Sequence, residues 1–266
     1  ITEDLLKNVN NEILHNKVRG ISSNSKEIKK GYIFVAIKGK NFDGAEYIAE
    51  AEKLGAFLII AEESCNKKVF SIKKGTARQI YTLLLSSFYI KQPKQIIGVT
   101  GTNGKTSTVE FCRQLWALAG WKAASMGTLG TKTETAINKS VYKNKEENLT
   151  TFEPSDLYKK LNFLVEEKIS HLALEASSHG IDQYRLDGVN FSGAVFTNLS
   201  HDHLDYHGNT ANYFSTKKRL FTKVLRNNSA ISINIDDIYG KKLYEELKDT
   251  NHFIITFGQC TKADIK

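Results

Sequence analysis

No stretch of this 266-residue sequence approaches the roughly 20 consecutive apolar residues that a membrane-spanning helix requires, which excludes a helical membrane protein. Cysteine is scarce. Cys65, Cys112 and Cys260 are odd in number and far apart. Such a set excludes a fully paired disulfide framework and a clustered zinc motif, and it suits a reducing, cytoplasmic setting. Each thiol reads as a small buried hydrophobe. Arginine is equally sparse, supplying six of the 37 basic residues. The lysine pairs Lys29-Lys30, Lys73-Lys74 and Lys159-Lys160 are scattered and read as solvated faces. Nucleic-acid binding calls for clustered Arg with aromatics for stacking, so no nucleic-acid partner is expected. The net charge of +8 then leaves open a general preference for anionic, phosphate-bearing small ligands. The opening Ile1-Thr2-Glu3-Asp4 has two acids and no apolar leader, so it is not a signal peptide, and the missing initiator Met suggests a trimmed chain.

What remains is an ordinary globular composition, 41% hydrophobic and 25% charged, in a chain long enough for one large or two modest domains. Residues 1–90 read as a small α/β unit. Tyr32 to Ile37 is a strand ending at Gly39, Ala45 to Leu54 a helix closed by Gly55, Ala56 to Ile60 a buried strand, and Thr76 to Tyr89 a second helix. Pro93 marks a linker. From Gln95 strands and helices alternate, which predicts a mostly parallel sheet covered by helices. Strands are expected at 96–99, 171–174, 193–196, 231–233 and 253–255, and helices near 105–119, 155–167, 211–225 and 237–247. The pattern stops soon after the last strand, so this second domain, residues 91–266, is expected to be incomplete.

The strongest local signal is Gly98-Val99-Thr100-Gly101-Thr102-Asn103-Gly104-Lys105-Thr106-Ser107, a buried strand that turns through glycines into a helix. Glycines let the backbone curl so that its N–H groups face phosphate oxygens, and the helix N-terminus adds partial positive charge there. Lys105 can reach the β- and γ-phosphates, and the Thr106 hydroxyl can ligate Mg²⁺. Val99 stands where the strict phosphate-loop pattern has Gly, so this is a variant. The bland alternative is an ordinary Gly-rich turn, which the Gly-Lys-Thr triplet argues against. ATP is therefore the expected cofactor.

A phosphoryl-transfer site also needs side chains that hold Mg²⁺ opposite the loop. Glu175 ends the buried strand at 171–174, where open α/β sheets present ligands. The next strand delivers Thr197-Asn198-Leu199-Ser200-His201-Asp202-His203-Leu204-Asp205-Tyr206-His207, with three His and two Asp in seven residues. A metal or phosphate role and a solvated loop both fit this cluster, and the absence of a nearby Cys argues against structural zinc. Lys217 and Lys218 read by spacing alone as surface lysines.

Taken together, Gly-Thr-Asn-Gly-Lys-Thr, Glu-x-Ser-Ser-His and Asn-Leu-Ser-x-Asp-His-Leu-Asp-Tyr-His closely resemble the Mur ligases, and among them the MurE-type, tripeptide-forming branch. The resemblance runs from about Ser25 to the end. It implies an ATP-dependent ligase that adds a diamino acid to the UDP-N-acetylmuramoyl dipeptide through an acyl phosphate, in peptidoglycan precursor synthesis. By position, Gly101, Thr102, Asn103, Gly104, Lys105, Thr106 and Ser107 would bind ATP phosphates, and Thr106 with Glu175 would ligate one Mg²⁺. His203 would hold a second Mg²⁺, and Lys217 falls where the family carries a carbamylated lysine, so Lys105, Lys217 and His203 are the expected catalytic residues. Thr150, Thr151, Ser177, Gln183 and Arg185 align with contacts to the UDP-muramoyl peptide. In the first domain Ser25, Lys40, Asn41 and Phe42 match uridine-diphosphate contacts. A Pro of the family is Phe152 here, an Arg is His201, and the family's C-terminal, amino-acid-selecting domain is absent. A monomer is expected, with meso-diaminopimelate and L-lysine both open as the added residue. Two alternatives stay open: a fragment that binds nucleotide and UDP-sugar without catalysis, and a folylpolyglutamate synthetase-like ligase.

Overall fold

The computed structural model describes residues 18–39, 42–64, 69–133 and 149–266. Cys65 and the expected ligand contacts Lys40 and Asn41 lie outside the described residues. The chain forms two compact units, residues 1–90 and 91–266.

The first unit is a four-stranded, wholly parallel sheet in the order β1 (Gly20–Ser22), β2 (Tyr32–Val35), β3 (Leu58–Glu62), β4 (Val69–Ile72). Alternate residues of the inner strands face opposite sides. Phe34, Ile59 and Ala61 pack with Ala51 of α1 (Ile48–Lys53) on one side. The buried Ile80, Leu84 and Leu85 belong to α2 (Ala77–Phe88), which packs against β1 and β3. A parallel sheet covered on both faces requires near-continuous apolar strands, which β2 and β3 supply.

The second unit is a seven-stranded sheet in the order β11-β10-β9-β5-β8-β6-β7. In chain order it contains β5 (Gln95–Thr100), α3 (Lys105–Leu118), β6 (Ala123–Gly127), β7 (Gly130–Thr133), α4 (Pro154–Glu166), β8 (His171–Glu175), α5 (Ser178–Asp182) and β9 (Gly193–Phe196). It continues with α6 (Leu204–His207), α7 (Thr210–Arg219), β10 (Ala230–Asn234), α8 (Ile238–Leu247) and β11 (Phe253–Phe257). All pairings are parallel except that of β6 with β7. β5 is central, flanked by β8 and β9, and the Val109 side of α3 packs with Val99 and Ala173, with Cys112 and Trp116 partly buried beside them.

The expected helix over 211–225 divides instead. α7 ends at Arg219 and a single wider turn follows at Leu220–Val224, closed by the Leu225 N–H on the Leu220 carbonyl at 2.9 Å. Four strands went unforeseen, β1, β4, β6 and β7. The sequence of β6, Ala-Ala-Ser-Met-Gly, has little strand propensity, yet every residue of it is buried. Among the described residues no helix is long and apolar enough to cross a membrane.

Candidate active site

Register builds this site. β5 and β8 pair Val99 with Glu175, and β5 and β9 pair Thr100 with Phe196. Neighbouring strands lie about 4.8 Å apart. The phosphate loop, Glu175 and the segment after β9 therefore leave the sheet side by side at its carboxyl end. Gly101 has φ of +153° beside the Thr197 hydroxyl and Asn198 backbone, so any side chain there would collide.

The loop is held chiefly by the segment that follows β9. The Thr102 N–H donates to the Asn198 carbonyl at 2.9 Å, and the Asn103 N–H to Asn198 Oδ1 at 2.9 Å. The Asn103 carbonyl accepts from Thr197 Oγ1 at 2.7 Å and from Asn198 Nδ2 at 3.2 Å. Thr102 Oγ1 accepts from the Ser200 N–H at 3.0 Å and lies 3.3 Å from the Tyr213 hydroxyl. Gly104 turns the chain into α3, whose first-turn N–H groups face outward from the helix end. Thr106 is half-buried and Ser107 exposed in that turn.

Two lysines meet on one carbonyl. Lys105 Nζ donates to the carbonyls of Gly101 at 2.8 Å and Thr102 at 2.7 Å, and Lys217 Nζ donates to Gly101 at 2.9 Å. Lys217 is not the surface lysine its spacing predicted: it is 1% exposed, and its ammonium sits 4.5 Å over the Tyr213 ring. Burial, and then the Lys105 charge, hold the Lys217 amine well below the usual lysine range, against a smaller upward pull from Asp202. Burial also lowers the Lys105 ammonium, opposed by the charges of Glu175 and Asp202. Lys218, by contrast, pairs with Glu246 at 2.8 Å.

Glu175 is 1% exposed and lies against Gly127, where a Cβ would strike its carboxylate. Its Oε1 accepts from the Thr128 N–H at 3.0 Å and its Oε2 from the Thr128 hydroxyl at 3.2 Å. His203 has φ of +51° at the start of α6, and its Nε2 lies 3.4 Å from Asp202 Oδ2. His179 stacks edge-on against it with ring centroids 5.0 Å apart. Burial holds the imidazoles of His179 and His207 toward the neutral form. Among the described residues no three His, Cys, Asp or Glu side chains form a metal-binding group by themselves. The buried Glu175 carboxylate at the end of β8, and the Thr106 hydroxyl in the first turn of the helix that follows the neighbouring strand β5, are nonetheless hard-oxygen donors of the kind that fit a Mg²⁺ completed by phosphate and water.

The remaining predicted residues form one network next to Glu175. Thr150 Oγ1 lies 3.1 Å from Thr128 Oγ1. Thr151 Oγ1 donates to the Glu175 carbonyl at 2.9 Å and accepts from the Ser177 N–H at 2.9 Å. Ser177 caps α5 through the Gly180 N–H at 3.1 Å. Arg185 is 8% exposed; it donates to the Thr151 carbonyl at 2.7 Å and to Gln183 Oε1 at 2.8 Å, and it pairs with Glu153 at 2.7 Å. Its guanidinium is thus fully engaged. Phe152, in place of the family's Pro, is buried with the Lys160 ammonium 5.0 Å from its ring centre, and His201 is exposed. In the first unit Ser25 is buried at a short helical turn and Phe42 is 63% exposed.

Sequence reasoning assigned no role to Thr128, Tyr213, or the Arg219–Asp187 pair, which is bidentate at 2.9 and 2.6 Å and ties α7 to the turn after α5. Nothing in the spacing of these residues signals a role. Asn198 and Asp202 lay inside the polar cluster already noted.

The fold and site define a class: an open α/β nucleotide-phosphate domain with a variant phosphate loop at its central strand. Family comparison narrows it. Residues 99–266 match the Mur ligase middle domain and residues 17–85 the Mur ligase family catalytic domain. The chain belongs to the Mur ligase family. It is 39% identical over 247 residues to the UDP-N-acetylmuramoyl-L-alanyl-D-glutamate–2,6-diaminopimelate ligase of Rhizobium meliloti, covering 91% of this chain and 49% of that protein. It is 38% identical over 252 residues to the ligase of the same name from Aquifex aeolicus, covering 94% and 49%. A solved structure of a ligase of that name superposes with a TM-score of 0.75 at 28% identity, covering 92% of this chain and 49% of that one. The chain spans about half the length of the curated relatives it matches.

Proposed function

We propose that this chain supplies the UDP-sugar-binding unit (residues 1–90) and the ATP-binding unit (residues 91–266) of a ligase acting on UDP-N-acetylmuramoyl-L-alanyl-D-glutamate. The ligase joins that dipeptide's terminal carboxylate to the amino group of a diamino acid. The names of the relatives favour diaminopimelate over lysine. The observation that carries the reading is the meeting of the phosphate loop, Glu175 and Lys217 at the carboxyl ends of β5, β8 and β9.

In this reading the γ-phosphoryl group of ATP passes to the carboxylate, and the incoming amine displaces phosphate from the acyl phosphate to form the amide. The first-turn N–H groups of α3 hold the phosphates, and Lys105 leaves the Gly101 and Thr102 carbonyls to follow them. Thr106, Glu175, His203 and a carbamylated Lys217 would hold Mg²⁺, which when bound neutralises charge on the transferred group. A lysine buried in this way gives up its proton more readily than an exposed one, and the neutral amine is the form that attacks CO₂: its lone pair makes the N–C bond, one proton is released, and a carbamate anion results. By position in the family, Thr150, Thr151, Ser177, Gln183 and Arg185 would contact the muramoyl peptide, and Ser25, Lys40, Asn41 and Phe42 the uridine diphosphate.

The match of the first unit to the family weighs against the folate-ligase alternative. Titration calorimetry with UDP-N-acetylmuramoyl-L-alanyl-D-glutamate, against a UDP control, tests the reading. The expected result is tighter binding of the full precursor than of UDP, weakened by Thr150→Val, which leaves the Arg185 network intact. Equal affinity for both, or none in a folded sample, would reject it. Phosphate release dependent on the precursor, Mg²⁺ and diaminopimelate separates a working ligase from a binding fragment.

A further inference from the structure

Phosphate loops are usually described as a row of backbone N–H groups, all facing the ligand. In this chain two of those groups already have partners. The Thr102 N–H donates to the main-chain carbonyl of Asn198, and the Asn103 N–H to its side-chain oxygen, both at 2.9 Å. The Asn198 carboxamide therefore grips Asn103 on both its polar groups, since its Nδ2 also donates to the Asn103 carbonyl at 3.2 Å. The gripping segment is itself fixed from below. Asn234 Nδ2 donates to the Thr197 carbonyl at 2.8 Å, and the Leu199 N–H donates to Asp237 Oδ2 at 3.0 Å. The same segment continues into Asp202 and His203.

We propose that Asn198 is a positioning residue for the nucleotide: it fixes the phosphate loop before ligand arrives and confines phosphate contact to the N–H groups of Gly104 through Ser107. This rests on the ATP-binding reading, and it deepens it. A carboxamide is required because Asn103 presents a donor and an acceptor side by side. Aspartate can accept from the N–H but cannot donate to the carbonyl, and alanine can do neither. With the loop anchored at Thr102 and Asn103, the N–H groups left for phosphate oxygens are those at the start of α3, where the helix end adds its partial charge.

The experiment combines backbone amide hydrogen exchange, followed by NMR on the full chain, with MgADP titration of the native chain, Asn198→Ala and Asn198→Asp. Four results are expected. In Asn198→Ala the Asn103 amide loses protection while the Thr102 amide, bonded to a main-chain carbonyl, keeps it. In Asn198→Asp both amides stay protected. Both variants bind MgADP roughly tenfold or more weakly, the scale expected when a loop anchored by paired hydrogen bonds is released. In the native chain ADP shifts the amide resonances of Gly104 to Ser107 more than those of Thr102 and Asn103.

Unchanged protection at Asn103 in Asn198→Ala would overturn the proposal, as would native-like nucleotide affinity in both variants. Equal loss of protection at Thr102 and Asn103 would make Asn198 a general packing residue and overturn it as well. If Asn198→Ala does not fold, Asn198→Asp decides through its affinity and its retained Asn103 protection. If the native chain binds no nucleotide, the ATP reading fails, and the two exchange patterns still decide whether Asn198 holds the loop.

Discussion

The two halves of the site are held together by different means. On the β5–β9 half the loop is fixed mainly by its own backbone N–H and C=O groups, which meet the Asn198 carbonyl and the side chains of Thr197, Asn198, Lys105 and Lys217. On the β6–β8 half Thr128, Thr150, Thr151, Ser177, Gln183 and Arg185 are joined largely through side-chain hydroxyls, an amide and a guanidinium. A backbone-held loop keeps its shape whatever occupies it. A side-chain network can exchange partners, so an anionic ligand arriving beside Arg185 competes with Glu153 at 2.7 Å. The comparison teaches that the first half is preorganised, whereas the second is a side-chain network closed on itself.

The largest expected effect lies on the backbone-held half. Gly101→Ala adds a methyl where φ is +153° and where the Thr197 hydroxyl, bonded to the Thr100 and Asn103 carbonyls, and the Asn198 backbone already stand. Unfolding in urea should show a loss of about 3 kcal/mol or more, together with loss of nucleotide binding. A loss below about 1 kcal/mol would mean the loop adapts, and the claim of preorganisation would fall.

Arg185→Ala comes next, from the side-chain-held half. It removes the partner of Glu153, of Gln183 and of the buried Thr151 carbonyl together. The expected cost is about 2–3 kcal/mol in the same assay, because a buried carbonyl and two half-buried acceptors are left without their donor. Arg185→Lys should recover only part, since an ammonium lacks the planar fork that reaches all three. If Arg185→Ala unfolds like the native chain, the guanidinium is a free ligand-binding group and the network reading is wrong.

This contrast also explains how much was legible in sequence. The phosphate loop could be read because backbone geometry demands glycines at fixed spacing and Gly-Lys-Thr marks the turn into the helix. The apolar strands of β5, β8 and β9 were readable for the same kind of reason, as were α3 and α4. β6 was not, because its small residues carry no strand signature, and Gly127 serves a close approach to Glu175. Lys217 lies in a polar stretch, Thr-Lys-Lys-Arg, and its burial depends on which face of α7 meets the loop. The side-chain network was seen only through family resemblance, since Thr151, Ser177 and Arg185 are spread over 35 residues with no shared period.

The two lysines offer a finer test within the first half. Lys217 is buried with no carboxylate in ion-pair range among the described residues, whereas Lys105 is only partly buried. An amine whose hold on its proton is weakened by burial costs stability wherever the unfolded chain would carry that proton. Lys217→Met, close in shape, should therefore raise stability by about 1 kcal/mol at neutral pH, while Lys105→Met should change it little. The gain should shrink as pH rises toward the ordinary lysine range, where the unfolded state also loses its proton. A destabilised Lys217→Met would show that the Gly101 bond and the Tyr213 contact outweigh the burial of the amine.

The smallest effect is expected outside both halves, at the far edge of the sheet, where a carboxylate fixes a backbone turn much as Asn198 does. Asp236 follows β10 and accepts from the N–H groups of Gln259 at 2.6 Å and Cys260 at 3.0 Å, just beyond β11. Those two bonds pull its carboxyl below the ordinary aspartate range. A lowered native pKa means that the unfolded state takes up the proton first as pH falls, so the stabilisation is complete above about pH 4 and disappears below the native value. Asp236→Asn should be slightly less stable than the native chain at pH 7, with the difference shrinking as pH falls through the lowered native pKa, which paired thermal melts at falling pH would resolve. The site is solvent-exposed, so added salt should shrink the neutral-pH difference, whereas the bonds around Asn103 carry no formal charge and should not respond. A salt-insensitive difference at Asp236 would mean that turn geometry, rather than charge, holds this edge as it holds the phosphate loop.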